Sequence, residues 1–461
     1  METADVVVLG AGPAGVAAAW RAARKGARVT VLERAATPGG AAGSFTVGGM
    51  RVDHGSHRLH GATDPAILAD LQQLLGGDLQ ERVRNGRIRL ADRWIAFPLR
   101  AGDLIRRLPR AFAAAAAFDA AMSPLRHPRR DAFDEIVRAG LGPTMWHRFY
   151  EPYARKIWGV DPATLSGEQA RRRVSADSPG KMLKRILSSR QKTPPTFFYP
   201  RTGFGTITER MAEAAAAAGV QFRYGTAVSA LDLTPDGVMV TTEDGATFSA
   251  ARAWSTLPLT LLARMARPAA GPEVVTAAGA LRFRSMVLVY LVLDVDRWTP
   301  YDAHYLPDGS TPVTRVSEPK NYRDGDDPAA RTVLCAEIPC DAGDTVWSAD
   351  DNALASLVAD GLVAQGLPRP DPVEVAVRRL SHAYPIYTAD YERHFAVLDA
   401  WALAQPRLLT FGRQGLFAHD NTHHAFAMAW AAAEALGAEG TWDDASWAHA
   451  RERFREHVVE D

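Results

Sequence analysis

The chain has 461 residues, with 53 Lys plus Arg balanced by 53 Asp plus Glu. Single cores stop growing near about 250–300 residues, so two or three structural domains are expected. A formal net charge of zero excludes a global field that would draw nucleic acid or an anionic membrane, and it leaves any anionic ligand to a local cluster of bases.

Residues 1–50 open on DVVVLG, an apolar strand that runs into the turn Gly10-Ala11-Gly12-Pro13-Ala14-Gly15. A helix (PAGVAAAWRAARKG) and a second strand (ARVTVLE) complete a βαβ unit. Gly10 permits the tight turn, Gly12 lets backbone approach a pyrophosphate, and Gly15 lets the helix pack on the strand. The pyrophosphate then meets the helix N-terminus at Pro13 and Ala14, where N–H groups and the dipole favour negative charge. Glu33, 18 residues after Gly15, ends the second strand with Arg34 beside it. A carboxylate there accepts ribose hydroxyls and repels a 2′-phosphate. Because the strand follows Met1 almost at once, no signal peptide is read and a cytoplasmic location is expected.

Residues 51–100 hold MRVDHGSHRLHG and then GRIRLADRWIAFPLR, a hairpin pattern turning at Ala91-Asp92. His54, His57 and His60 alternate with glycine and arginine and lack a carboxylate-rich set, so no metal is expected. Residues 101–195 read as a helical lobe. Its apolar run AFAAAAAFDAAM from Ala111 falls short of the about 20 residues a membrane span needs, and it is read as a packed helix. Residues 196–265 return to the nucleotide domain through a helix and strands with turns at Asp236-Gly237 and Asp244-Gly245. Residues 266–400 supply SMVLVYLVL, TVLCAEI and VEVAVRRL as strands of a substrate-domain sheet. Odd spacing puts Cys335 and Cys340 on opposite faces there, as free structural thiols. Residues 401–461 read as strand, glycine turn and long helix, bringing the C-terminus back to the cofactor. The fold class is α/β (α+β overall): a Rossmann-like domain, a mixed-sheet substrate domain and a helical lobe.

Gly39-Gly40, with Ala41, follows Glu33 closely and resembles the extended motif of the glutathione-reductase-like flavoproteins. That resemblance implies FAD, with these glycines at the flavin-side pyrophosphate. It places Gly55, Ser56 and His57 near the isoalloxazine, Val228 at the adenine and Thr256 at a strand end beside the cofactor. Gly412, Arg413, Asn421, His424 and Ala425 would form the turn and helix start closing over flavin polar atoms.

Within that class, nearly the whole chain resembles the UDP-galactopyranose mutase-like branch, which sits beside protoporphyrinogen oxidase, amine oxidases and carotenoid desaturases. DHGSHRLHG is similar to its Gly-Gly-His loop, YARKIWGVDPATLS to its Lys-(Val/Ile)-Trp element, and AHYLPDGSTPVTRVSEPKNY to its Tyr-x-Pro turn and Arg-bearing strand. In such mutases, N5 of the reduced flavin attacks the anomeric carbon of a nucleotide sugar and the nucleoside diphosphate departs. The resemblance therefore implies noncovalent FAD used in its reduced form and a small-molecule substrate, a nucleotide sugar. It puts Arg315 and Tyr305 at the departing diphosphate and His57 at the flavin or the sugar. Arg172 (from the run Arg171 to Arg173), Asn321 and Tyr384 would line the substrate. Two departures concern the substrate rather than the cofactor. Ala303 stands where the mutases often carry an aromatic, and Asn421-Thr422-His423-His424 stands where they close with Asn-x-Asp-His. The same frame serves FAD oxidases, dehydrogenases and desaturases, so a redox alternative stays open. Paired arginines at a diphosphate subsite point to the mutase, an apolar aromatic funnel to the oxidase. No nucleic-acid partner and no integral membrane segment are expected, and a homo-oligomer is left open.

Overall fold

The computed structural model describes residues 4–174, 195–437 and 440–459, so the last part of the expected helical lobe lies outside the described residues. Strand β1 (Ala4–Leu9) is apolar and buried from Val6 onward, as a strand covered on both faces must be. It pairs in parallel with β2 (Val29–Leu32) on one side and with Thr247–Ser255 on the other. Helix α1 (Pro13–Arg24) joins β1 to β2. Eight strands form this first sheet, and Leu408–Thr410 adds in parallel beside the C-terminal half of Thr247–Ser255. Alanines on α1 keep side chains short, so the Thr422–Ala435 and Thr206–Ala217 helices pack closely on it. Trp20 meets Trp430 edge to face at 6.0 Å.

The second sheet has seven strands. Arg282–Leu293 lies between Thr332–Cys340 and Glu374–Ile386, antiparallel to both. Its side chains alternate between two cores, with Val287, Val289 and Leu291 under the Asp351–Ala364 helix and Met286, Leu288 and Tyr290 against Met50 and Val52. Cys340 belongs to the first of these cores and Cys335 to the second, both as free thiols. The hairpin of Gly86–Leu90 and Arg93–Phe97 turns through Ala91 and Asp92 at φ +49° and +59°, and it joins this sheet by parallel pairing with Ala303–Tyr305.

The expectation of a packed alanine helix is corrected. Arg110–Met122 is exposed along most of its length, with Phe118 66% exposed and Asp119 its one buried residue. Alanine at nearly every position gives no single apolar stripe to bury. Asp119 is instead drawn inward by Arg126 and the Thr144 N–H. Among the described residues, no helix is long and apolar enough to cross a membrane.

His304, in Ala303–Tyr305, is boxed by Trp94, Trp298 and Tyr301. Burial, helped by Arg87, pushes its pKa down to about 4. The unfolded chain takes up this proton near pH 6.5 while the folded chain resists until about 4, so stability falls as pH drops through that window. The expected slope is about 1.4 kcal/mol per pH unit. Denaturant midpoints at pH 7.5, 6 and 5 check it, with His304→Phe flattening the slope; equal slopes in the two proteins would refute the assignment.

Candidate flavin site

The glycine-rich turn is built by close backbone approach. Gly10 has φ +101°, and a Cβ on Gly15 would lie 2.0 Å from the Gly10 carbonyl oxygen. A Cβ on Gly12 would meet nothing within 4 Å, so open space remains beside the first turn of α1, which has no side-chain cap. Gly39 donates its N–H to the Ala11 carbonyl at 2.9 Å, and Gly40 packs on Gly12. Glu33 accepts the N–H groups of Ala11 (2.7 Å) and Ala35 (2.8 Å), and so fixes the turn while keeping lone pairs for a ribose. Arg34 beside it is exposed. Thr226 donates its N–H to the Glu33 carbonyl, which sets the strand starting at Val228 next to this end of β2. The Thr256 hydroxyl bonds the Leu9 carbonyl at 2.9 Å. Gly412, at φ +78°, would bring a Cβ 3.1 Å from that of Ala14. Asn421 caps the Thr422–Ala435 helix, and Ala425 is buried in its first turn. The open glycine face, the uncapped helix start and the carboxylate at the strand end fit the pyrophosphate and ribose of a dinucleotide.

Beyond Gly40 the chain turns into the loop after Met50–Asp53. The buried Asp53 accepts from Ser44 (2.6 Å), Tyr199 (2.5 Å) and the Phe204 N–H (2.8 Å), pinning this loop. His57 sets Nε2 3.0 Å from the carbonyls of Ala41 and His54 and stacks on Phe204. Facing two acceptors, that nitrogen must carry the proton. Burial lowers the pKa of His57, so it is a neutral imidazole orienting the loop.

Three residues of the second sheet form a row, because Tyr305 pairs with Arg315 and Arg315 with Glu337 in register. Arg315 was expected to be free for a diphosphate. Instead it grips Glu337 with Nε at 3.0 Å and Nη2 at 2.7 and 2.8 Å. Glu337 also accepts the Ser56 N–H at 2.9 Å, so the pair locks the loop carrying Gly55 and His57. Arg58, which the sequence reading missed, reaches Tyr305 Oη at 3.4 Å and lies over the Tyr322 ring at 4.6 Å. Two further residues expected at the substrate have partners within the chain. Asn321 donates to the carbonyls of Thr299 and Tyr301, bracing a loop. Arg172 is held by Glu168 at 2.7 Å and by the His457 carbonyl at 3.0 Å.

Arg173, the last arginine of the run, lies against Tyr384. Its guanidinium lies 5.2 Å over the Tyr384 ring and 5.6 Å over Trp158. Arg413 covers Tyr384 at 5.0 Å and donates to the Ala383 carbonyl, with Nε buried and without a partner. Among the described residues, neither guanidinium has a carboxylate within ion-pair distance. The spacing signal was present in the sequence: Glu168 stands three and four residues before Arg171 and Arg172 and neutralises both, and Arg173 falls outside its reach. Lys156 donates to the carbonyls of Leu306 and Val313 and braces the turn after Tyr305, and burial lowers its pKa to about 8.

A dinucleotide cradle on a mostly parallel sheet, set against a second sheet that supplies a polar, arginine-bearing face, defines a two-domain flavoprotein. The profile of flavin-containing amine oxidoreductases matches residues 13–436, and the chain belongs to that family, whose cofactor is a flavin. A reduced UDP-galactopyranose mutase superposes with a TM-score of 0.82 at 21% identity, covering 99% of this chain and 100% of that one. Within the family, the fold is thus UDP-galactopyranose mutase-like. Cyclohexylamine oxidase from Brevibacterium oxydans IH-35A superposes with a TM-score of 0.67 at 14% identity, over 98% of this chain and 100% of that one. In sequence, a phytoene dehydrogenase of Streptomyces griseus is 28% identical over 274 residues, 52% of this chain and 51% of that protein. The match therefore spans about half the length of that relative. A prolycopene isomerase of an Oncidium hybrid cultivar is 42% identical over 74 residues, 16% of this chain and 13% of that protein.

Proposed function

We propose that this protein is an FAD-dependent mutase acting on a nucleotide sugar. The observation that carries the reading is the placement of both Arg173 and Arg413 over the Tyr384 ring. Two guanidiniums over one aromatic ring, without carboxylate partners among the described residues, suit a diphosphate whose charge grows as a glycosidic bond breaks. Bound noncovalently and reduced, FAD would supply a nucleophilic nitrogen for the anomeric carbon. The chain's own residues do the rest by position and charge. Arg173 and Arg413 hold the departing diphosphate in a low-dielectric setting, and the Tyr305 hydroxyl, polarised by Arg58, donates to it. Arg315 acts through Glu337 and the Ser56 backbone, keeping the flavin loop in register. Neutral His57 leaves Nδ1 as an acceptor toward the loop's surroundings.

The Arg315–Glu337 pairing favours the second reading, an FAD oxidase, dehydrogenase or desaturase, because it removes one cation from a diphosphate subsite. Anaerobic reduction, followed by UDP-, TDP- and GDP-hexopyranoses and chromatography for the furanose, separates the two. Furanose formed without net flavin oxidation supports the mutase. No furanose from the reduced enzyme, together with substrate-driven bleaching of the oxidised enzyme and oxygen consumption in air, would overturn it. Arg173→Ala and Arg413→Ala are each expected to weaken UDP binding at least about tenfold, in line with about 1.5–3 kcal/mol for a hydrogen bond to a charged group. Titration of UDP into each FAD-loaded variant measures this.

A further inference from the structure

Beside the Gly412 turn lies a group of side chains that includes His424, expected from the sequence at the flavin, together with Asp420 and His457. Asp420 has a fully buried side chain, and among the described residues neither of its carboxylate oxygens has a hydrogen-bond partner. Buried carboxylates without donors are rare, because the charge loses its hydration and gains nothing. The groups nearest it are two imidazoles, His424 with Nδ1 at 3.5 Å and His457 with Nδ1 at 3.4 Å from the same oxygen, while the Arg172 and Arg413 guanidiniums act on it from beyond ion-pair distance. His457 Nδ1 is also buried without a hydrogen-bond partner. All three candidate ligand atoms lie within 4.8 Å of one another.

We propose that Asp420, His424 and His457 bind one divalent transition-metal ion of the zinc class. Metal–ligand bonds of about 2.0–2.2 Å set neighbouring tetrahedral ligands about 3.4 Å apart, the spacing that Asp420 keeps to each imidazole. Two imidazole nitrogens and one carboxylate suit Zn2+ or Fe2+, and supply too few oxygens for Ca2+ or Mg2+. A ligand imidazole must be neutral, and burial, together with His423 and His457, pushes the pKa of His424 down to about 2. The two rings now stack at 4.2 Å with planes 12° apart, and His424 Nδ1 accepts the Asn421 N–H at 3.2 Å. Ion entry therefore rotates the imidazoles to converge their lone pairs, and exchanges that cap bond for a coordination bond. The ion ties the segment after Asp444–Phe454 to the start of Thr422–Ala435, just beyond the Gly412 turn.

The test uses the FAD-loaded full chain, treated with chelator and titrated with Zn2+ alone, with bound metal counted after gel filtration. One Zn2+ per chain is expected, with binding at least tenfold weaker in His457→Ala and Asp420→Asn and unchanged in His449→Ala, an exposed histidine on the preceding helix. Co2+ should give a visible ligand-field spectrum in the wild type that His457→Ala lacks. His457, 15% exposed and near the chain end, keeps the test decisive where Asp420→Asn fails to fold. Absence of stoichiometric Zn2+, or wild-type binding by His457→Ala, overturns the site.

Discussion

Gly15→Ala is expected to purify without flavin colour. Its new Cβ would sit 2.0 Å from the Gly10 carbonyl oxygen, against an optimum near about 3.5 Å for non-bonded atoms. The obstructing atom is backbone, so no side-chain rotation relieves the contact, and α1 must move away from β1. The cost should reach or exceed the about 1–3 kcal/mol typical of overpacking. The turn that presents α1 to a pyrophosphate is lost with it. Gly12→Ala separates the two effects, since its Cβ meets no protein atom within 4 Å. That variant should unfold at the wild-type temperature without FAD, yet retain FAD poorly because the methyl group fills the space beside the helix start. The ratio of absorbance at 450 and 280 nm, with thermal unfolding at zero and excess FAD, reads both outcomes. Wild-type FAD retention by Gly12→Ala would mean that the pyrophosphate lies elsewhere.

How much of this was legible in the sequence depends on whether the governing contacts are local. The βαβ unit rests on an apolar strand, three glycines and a carboxylate within about thirty residues, so spacing alone carries it. Alternation along Arg282–Leu293 likewise follows from a period of two, and the same period along Thr332–Cys340 sends Cys335 and Cys340 into different cores. The row of Tyr305, Arg315 and Glu337 was far less legible. All nine residues of Thr332–Cys340 are buried, so no polar alternation marks Glu337 as the partner of Arg315, 22 positions away and set by strand register. Arg58 sits in a loop whose glycines and histidines drew attention to the flavin. Its role depends on Tyr322 and Tyr305, both distant in the chain. The exposed Arg110–Met122 helix was misread because alanine marks helix propensity without marking a buried face.

The pairing of Arg315 with Glu337 makes a sharp prediction about stability and function together. Arg315→Ala strands Glu337, whose side chain is 4% exposed, with the Ser56 N–H as its remaining donor. Breaking a buried pair from one side costs about 3–5 kcal/mol, whereas replacing both partners by apolar groups of similar volume is often neutral. The single variant should therefore lose stability on that scale, and Arg315→Met combined with Glu337→Leu should recover most of it. Denaturant midpoints of the singles and the double complete the cycle, and additive losses would show that the two side chains are not coupled. Function separates differently. If Arg315 works by holding Glu337 and through it the Ser56 backbone, the stable double variant still misplaces the loop carrying His57, and FAD binding weakens while UDP affinity changes little. If Arg315 contacts the diphosphate directly, UDP affinity falls in the double variant to the same extent as in Arg315→Ala. Glu337→Gln adds a third arm, because it keeps an acceptor for the Ser56 N–H while removing the charge that neutralises Arg315. With that charge released toward Tyr305, UDP should bind more tightly than to the wild type, and weaker binding would mean that the anion does not approach this row of residues.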